Sequence, residues 1–142
     1  MTKSTVTQED LRLMLVDDFP SMRKIITDQL VTLGIHGKNI IQMRNGEEAL
    51  EALRAGTVVD LIVSDWVMPK LSGIELLRAV RATPELREIP FLMLTSEGKK
   101  EQVVEAIKER VNGYIVKPSS LGTLSAKLST LFPEAHFTLE GE

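Results

Sequence analysis

The sequence predicts an α/β fold: a flavodoxin-like (βα)5 doubly wound parallel sheet with strand order 2-1-3-4-5. Three observations carry this. Short apolar runs alternate five times with longer segments of helical period. The run Leu61-Ile62-Val63 is apolar without alternation, as strands covered on both faces are. The connections are long enough for helical crossovers, which parallel strands require and which wind right-handed. For five such units, order 2-1-3-4-5 is the economical solution.

The elements follow in order. Residues 1–10 read as a polar leader, frayed or partly joined to the first strand. Leu11 to Val16 is a strand ending on Asp17-Asp18. Pro20 suits a first helical turn, and Met22, Ile25, Ile26, Leu30 and Leu33 form one apolar stripe. Gly34 and Gly37 end that helix. Asn39 to Met43 is a weaker strand, punctuated by Asn45-Gly46. Ala49, Leu50 and Leu53 mark a second helix, closed at Gly56. Asp60 to Asp65 is the third strand, followed by a Met68-Pro69 turn and Ser72-Gly73. Ile74, Leu77 and Val80 mark a third helix, broken at Thr83-Pro84. Ile89 to Leu94 is the fourth strand, ending at Thr95-Ser96. Val103, Val104, Ile107 and Val111 give a fourth helix, ended by Asn112-Gly113. Tyr114 to Val116 is a fifth strand, ending at Lys117-Pro118. Leu121, Leu124, Leu128 and Leu131 space the last helix, which Pro133 stops. Residues 11–132 therefore read as one domain, and 133–142 as an acidic, mobile tail.

Composition narrows the function. The 142 residues are 43% hydrophobic and 26% charged, enough for one core without staples. A net charge of -3 argues against direct nucleic-acid binding. The pairs Arg23-Lys24 and Lys99-Lys100 read as solvated helix faces. With no cysteine, disulfides and thiolate metal sites are excluded. No run reaches the ~18 apolar residues of a membrane span, and the N-terminus has no signal-peptide core. Cytoplasmic residence is the expectation.

The chemistry is expected where the strands end. In open α/β sheets ligands sit at the carboxyl ends of the strands. There the sequence offers Asp17 and Asp18, Asp65, Thr95 with Ser96, and Lys117. Taken singly, Asp65 reads equally as a turn residue. Asp17-Asp18 reads equally as a helix-start acid pair, Thr95-Ser96 as a helix cap, and Lys117 as a surface lysine. Their coincidence at one sheet edge favours a site. Three converging carboxylates call for a hard divalent cation, and oxygen-only ligands suit Mg2+. Cation and ammonium together would neutralise a phosphoryl group in transfer, and Thr95 would donate to one of its oxygens. A carboxylate can be the nucleophile. Asp65, alone on the middle strand, is the candidate, with Asp17-Asp18 better placed for metal.

These residues resemble the receiver domain of two-component response regulators, above all the single-domain chemotaxis regulators of the CheY kind. The motifs are Val16-Asp17-Asp18, Ser64-Asp65-Trp66-Val67-Met68-Pro69, Ser72-Gly73, Met93-Leu94-Thr95-Ser96 and Tyr114-Ile115-Val116-Lys117-Pro118. Together they cover roughly Leu11 to Phe132. The resemblance implies that a histidine kinase phosphorylates Asp65. It implies Mg2+ held by Asp18, Asp65 and the main-chain carbonyl of Val67, with Asp17 acting through a water. Thr95 would swing toward the phosphoryl group, Tyr114 would turn inward after it, and Lys117 would contact a phosphoryl oxygen. A cis Lys117-Pro118 bond is implied, against a base rate of about 5–6% for proline. The implied output face includes Lys100, Val103, Tyr114, Val116 and Lys127, and the implied partners are the kinase, a flagellar motor switch and a phosphatase.

The chain departs from that pattern in three places. Val67 replaces a polar residue, which would slow self-dephosphorylation. No phenylalanine follows Pro118, and the tail from Pro133 is extra, while Glu97 is retained. The expectation is a stand-alone phospho-switch acting by partner binding, not an enzyme beyond its own phosphorylation and dephosphorylation. The alternatives are an aspartyl-phosphate phosphohydrolase, which needs an acid/base close behind the nucleophile, and a phosphorylation-independent scaffold.

Overall fold

The computed structural model describes residues 7, 10–96, 99–135 and 137. Five strands, β1 (Leu13–Val16), β2 (Ile40–Met43), β3 (Leu61–Asp65), β4 (Phe91–Thr95) and β5 (Gly113–Val116), form one sheet in the order β2-β1-β3-β4-β5. Every pairing is parallel. Five helices alternate with them: α1 (Pro20–Thr32), α2 (Gly46–Arg54), α3 (Gly73–Ala82), α4 (Lys100–Lys108) and α5 (Leu121–Leu131). The predicted class and strand order are the observed ones.

Alternate strand residues feed two cores, as the period of two in a pleated strand dictates. Leu13, Leu15, Leu61, Val63, Leu92, Leu94 and Ile115 face α1 and α5, where Ile26, Leu30, Leu33, Leu124 and Leu128 close the layer. Met14, Val16, Ile62, Phe91 and Met93 face the other way, under α2, α3 and α4. Both faces being covered is why these strands lack alternation in sequence. α4 is held most lightly: Ala106 is its one buried residue.

Local chemistry sets the helix starts. Ser72 and Glu75 form a reciprocal capping box at α3, while Asn45 and Ser120 accept from the backbone N–H groups of Glu48 and Thr123. Gly34 ends α1 with φ +106°, the left-handed geometry glycine supplies. Gly37 does not end the helix; it opens a 3-10 turn, Gly37–Asn39. β1 begins at Leu13 rather than Leu11, because the Arg12 N–H donates to the Asp60 carboxylate instead of a neighbouring strand.

Two other expectations change. Arg23 is not merely a solvated lysine-like face: it donates to the Asp17 carbonyl at 2.7 Å and to Gln42 at 3.2 Å. In the tail, Ala135 and Phe137 are buried in the α1–α5 core layer, so the mobile reading fails at those residues. The leader lies mostly outside the described residues, as do Glu97 and residues 138–142.

Candidate functional site

Strand register brings the site together. Val16 pairs with Ser64, Asp65 with Leu94, and Thr95 with Val116. Residues 17, 18, 65, 95 and 117 therefore emerge along one edge of the sheet. One carboxylate oxygen from each of Asp17, Asp18 and Asp65 lies within 4.8 Å of the others. Lys117 Nζ stands 3.3 Å from Asp65 Oδ1 and 3.4 Å from Asp17 Oδ2. All the acids and the ammonium read from sequence thus share one cleft.

Each acid is held by the backbone around it. Asp17 is fully buried; its Oδ1 accepts from the Phe19 N–H at 2.9 Å. Asp65 Oδ1 accepts from the Trp66 N–H at 2.9 Å. Asp18 Oδ1 is buried and, among the described residues, has no hydrogen-bond partner. A buried carboxylate oxygen left unpaired is costly, and a cation beside it relieves that cost. Burial pushes the Asp65 carboxyl above the ordinary carboxylate range; Lys117 opposes the shift and Asp17 adds to it.

Thr95 is buried at the end of β4, and its main-chain carbonyl accepts from the Lys117 N–H at 2.6 Å. Tyr114 is half-buried. Its hydroxyl reaches Gln102 at 3.4 Å and also meets the Thr95 side chain, and its ring stands edge-on to Trp66 at 6.4 Å. Burial raises the Tyr114 hydroxyl pKa, against the opposing hydrogen bond with Thr95. The Lys117-Pro118 bond is cis, as the resemblance implies. Val67, two residues beyond Asp65, is 69% exposed.

Of the residues read as an output face, Lys100 and Val116 are exposed, and Val103, Tyr114 and Lys127 are half-buried. Two further apolar residues of α4 lie at the surface. Val104 and Ile107 of α4 are exposed apolar side chains, Ile107 at 62%. The helical spacing marked both as part of the fourth helix, without saying which way they face.

Gly73 is a further residue on which the site depends. A Cβ there would stand 2.2 Å from the Asp65 carbonyl oxygen and 2.9 Å from Trp66 Cα, and the Gly73 N–H donates to the Trp66 carbonyl at 2.8 Å. Only glycine lets α3 start so close behind the acid. The Ser72-Gly73 pair marks the position in sequence, but not the reason for it.

A doubly wound sheet with an acid cluster, a buried threonine and a lysine at its carboxyl edge defines a receiver of phosphoryl signals. The response regulator receiver domain family model matches residues 13–129, and the chain belongs to that family. It is 42% identical over 127 residues to the chemotaxis protein CheY-3 of Vibrio cholerae, covering 89% of this chain and 95% of that one. It is 43% identical over 122 residues to the chemotaxis protein CheY of Pseudomonas aeruginosa, covering 86% and 96%. The solved structure of CheY4 of Vibrio cholerae superposes with a TM-score of 0.75 at 31% identity, covering 85% and 98%. The chain is a CheY-like response regulator of a two-component system. The activity typical of such domains is limited to their own phosphorylation and dephosphorylation.

Proposed function

We propose that Asp65 is the phosphoacceptor. A carboxylate oxygen of Asp65 attacks the phosphorus of a phosphohistidine on the partner kinase. The P–N bond breaks, its electron pair returns to the imidazole nitrogen, and an acyl phosphate remains on Asp65. Lys117 neutralises a phosphoryl oxygen, and Thr95 donates to another. The observation that carries this is the convergence of three carboxylates within 4.8 Å with an ammonium 3.3 Å from Asp65.

Asp18, Asp65 and the Val67 carbonyl would hold Mg2+, with Asp17 acting through a water. The donor set fits, being all oxygen, with the unpartnered Asp18 Oδ1 among it. When bound, the ion supplies positive charge to the equatorial oxygens of the group in transfer.

The output is binding of a chemotaxis partner, the flagellar motor switch, through α4, β5 and α5. A phosphatase would reset the switch. The exposed Val104, Ile107 and Val116 support an apolar contact there, larger than charge alone would make. Among the described residues no helix is long and apolar enough to cross a membrane. We place the protein in the cytoplasm, beside the kinase.

Incubation with a small acyl phosphate and Mg2+ should add one phosphoryl group, read by intact mass, and Asp65→Asn should abolish it. Undiminished labelling of that variant overturns the assignment. Ile107→Ser should weaken binding of the phosphorylated protein to its partner at least about tenfold while leaving labelling intact. Unchanged binding removes α4 from the output face.

A further inference from the structure

Beyond α5 the chain turns back on itself. The Ala135 N–H donates to the Phe132 carbonyl at 3.0 Å, and the Phe137 carbonyl accepts from Ser125 Oγ, on α5, at 3.1 Å. Phe132, Ala135 and Phe137 are all buried, Phe137 at 6% exposure, in the core layer between α1 and α5. Residues 132–135 and 137 therefore lie back along α5.

Helical geometry says which flank they take. Leu124 and Leu128 point into the core. Ser125 is displaced from Leu124 by about 100°, on the side of Leu121, one of the residues packed with Met22 and Leu131 against the same core. Lys127 lies on the other flank: its side chain is among the atoms that a Cβ on Gly113 of β5 would approach. Ser125 and Phe137 thus lie on the flank of α5 away from β5, the side on which α1 shares the core layer.

That flank leads to the site. Gln29 of α1 donates through Nε2 to the Ser119 carbonyl at 2.8 Å. The loop from Lys117 to Ser120 is consequently tied at three points. The Lys117 N–H bonds β4, Gln29 bonds Ser119 from α1, and Ser120 caps α5. The first continues the β4–β5 pairing and the last lies within the first turn of α5; the middle one depends on where α5 sits relative to α1.

We propose that Phe132, Ala135 and Phe137 form a positioning strap. They wedge α5 against α1 and so hold the Lys117–Ser120 loop with Nζ between Asp17 and Asp65. This rests on the phosphoacceptor reading only for its effect on the reaction; the mechanical part stands apart from it. Phe137 is a positioning residue and touches no reacting atom.

Amide hydrogen exchange of the full chain tests the strap without phosphorylation. Phe137→Ser should speed exchange in peptides covering 117–131 at least about tenfold and leave β1, β3 and α3 at wild-type rates. Phe137→Leu should restore protection. Gln29→Ala should loosen 117–120 without loosening 125–131. Unchanged exchange of the 117–120 loop in Phe137→Ser, or a rise spread evenly over the sheet, overturns the proposal. In the second arm, labelling by a small acyl phosphate with Mg2+ should slow several-fold in Phe137→Ser and recover in Phe137→Leu; equal rates also overturn it. If the wild-type protein takes no phosphoryl group, the phosphoacceptor reading fails and exchange alone decides the strap.

Discussion

Asp65 carries opposing demands. As the proposed phosphoacceptor it must be buried enough to exclude water from an acyl phosphate, yet charged enough to attack. Burial is the larger influence on its pKa, and it acts upward despite Lys117. The pH consequence has a definite sign. Between the unfolded carboxylate pKa, about 3.9, and the raised folded value, the folded state holds a proton that the unfolded state has lost. Stability therefore falls as pH rises through that window, and the loss persists above it. Asp65→Asn removes this slope. In Mg2+-free buffer at neutral pH the variant should melt at a higher temperature than the wild type, and the gap should close as pH falls below the unfolded pKa. A gap that widens toward acid would show that the Lys117 contact outweighs burial. Gly73 acts at the same scale. Gly73→Ala gains helix propensity but drives a Cβ into the Asp65 carbonyl. It should cost about 2–3 kcal/mol by chemical denaturation, and it should impair labelling as well.

Among the elements, α3 and α4 show how differently a helix can be anchored. α3 buries Ile74, Leu76, Leu77 and Val80 and opens on a capping box. α4 buries Ala106 and presents Val104 and Ile107 outward. Surface ion pairs from Arg78 to Glu105 and Glu109 join the two helices, and pairs so exposed contribute little. A lightly held helix beside Tyr114 would suit the rearrangement of Thr95 and Tyr114 that the resemblance implies. The tighter joint is Arg81 of α3, only 8% exposed. It donates to the carbonyls of Arg87, Ile89 and Arg110 and to Asn112 Oδ1, which also accepts from the Phe91 N–H. Burial lowers its pKa, and no carboxylate pairs with it among the described residues. Arg81→Met leaves several buried acceptors unpaired and should cost more than about 3 kcal/mol by denaturant melting. Arg81→Lys should recover only part, since one ammonium cannot replace the planar fork. Recovery to wild-type stability would show that a single ammonium suffices and the planar fork is not needed.

For the whole molecule, the amino-acid sequence alone determined the five strand–helix units, the parallel sheet and the polar residues at its carboxyl edge. Those are short-range features: a strand and its following turn are written in adjacent residues, and Asp17, Asp18, Asp65, Thr95 and Lys117 each stand where an apolar run stops. Parallel topology then aligns those ends without further information. The tertiary structure decided the rest. Strands apolar on both faces do not say which helix covers which side, and the apolar spacing of α4 does not say that Val104 and Ile107 face outward. The buried Arg81 fork, the close approach at Gly73 and the return of Phe137 along α5 join residues distant in the chain. No local period marks them, because their energies come from contacts that exist only once the sheet has formed. Asp65 could be located in sequence; the burial that tunes it and the strap that braces its lysine belong to the fold.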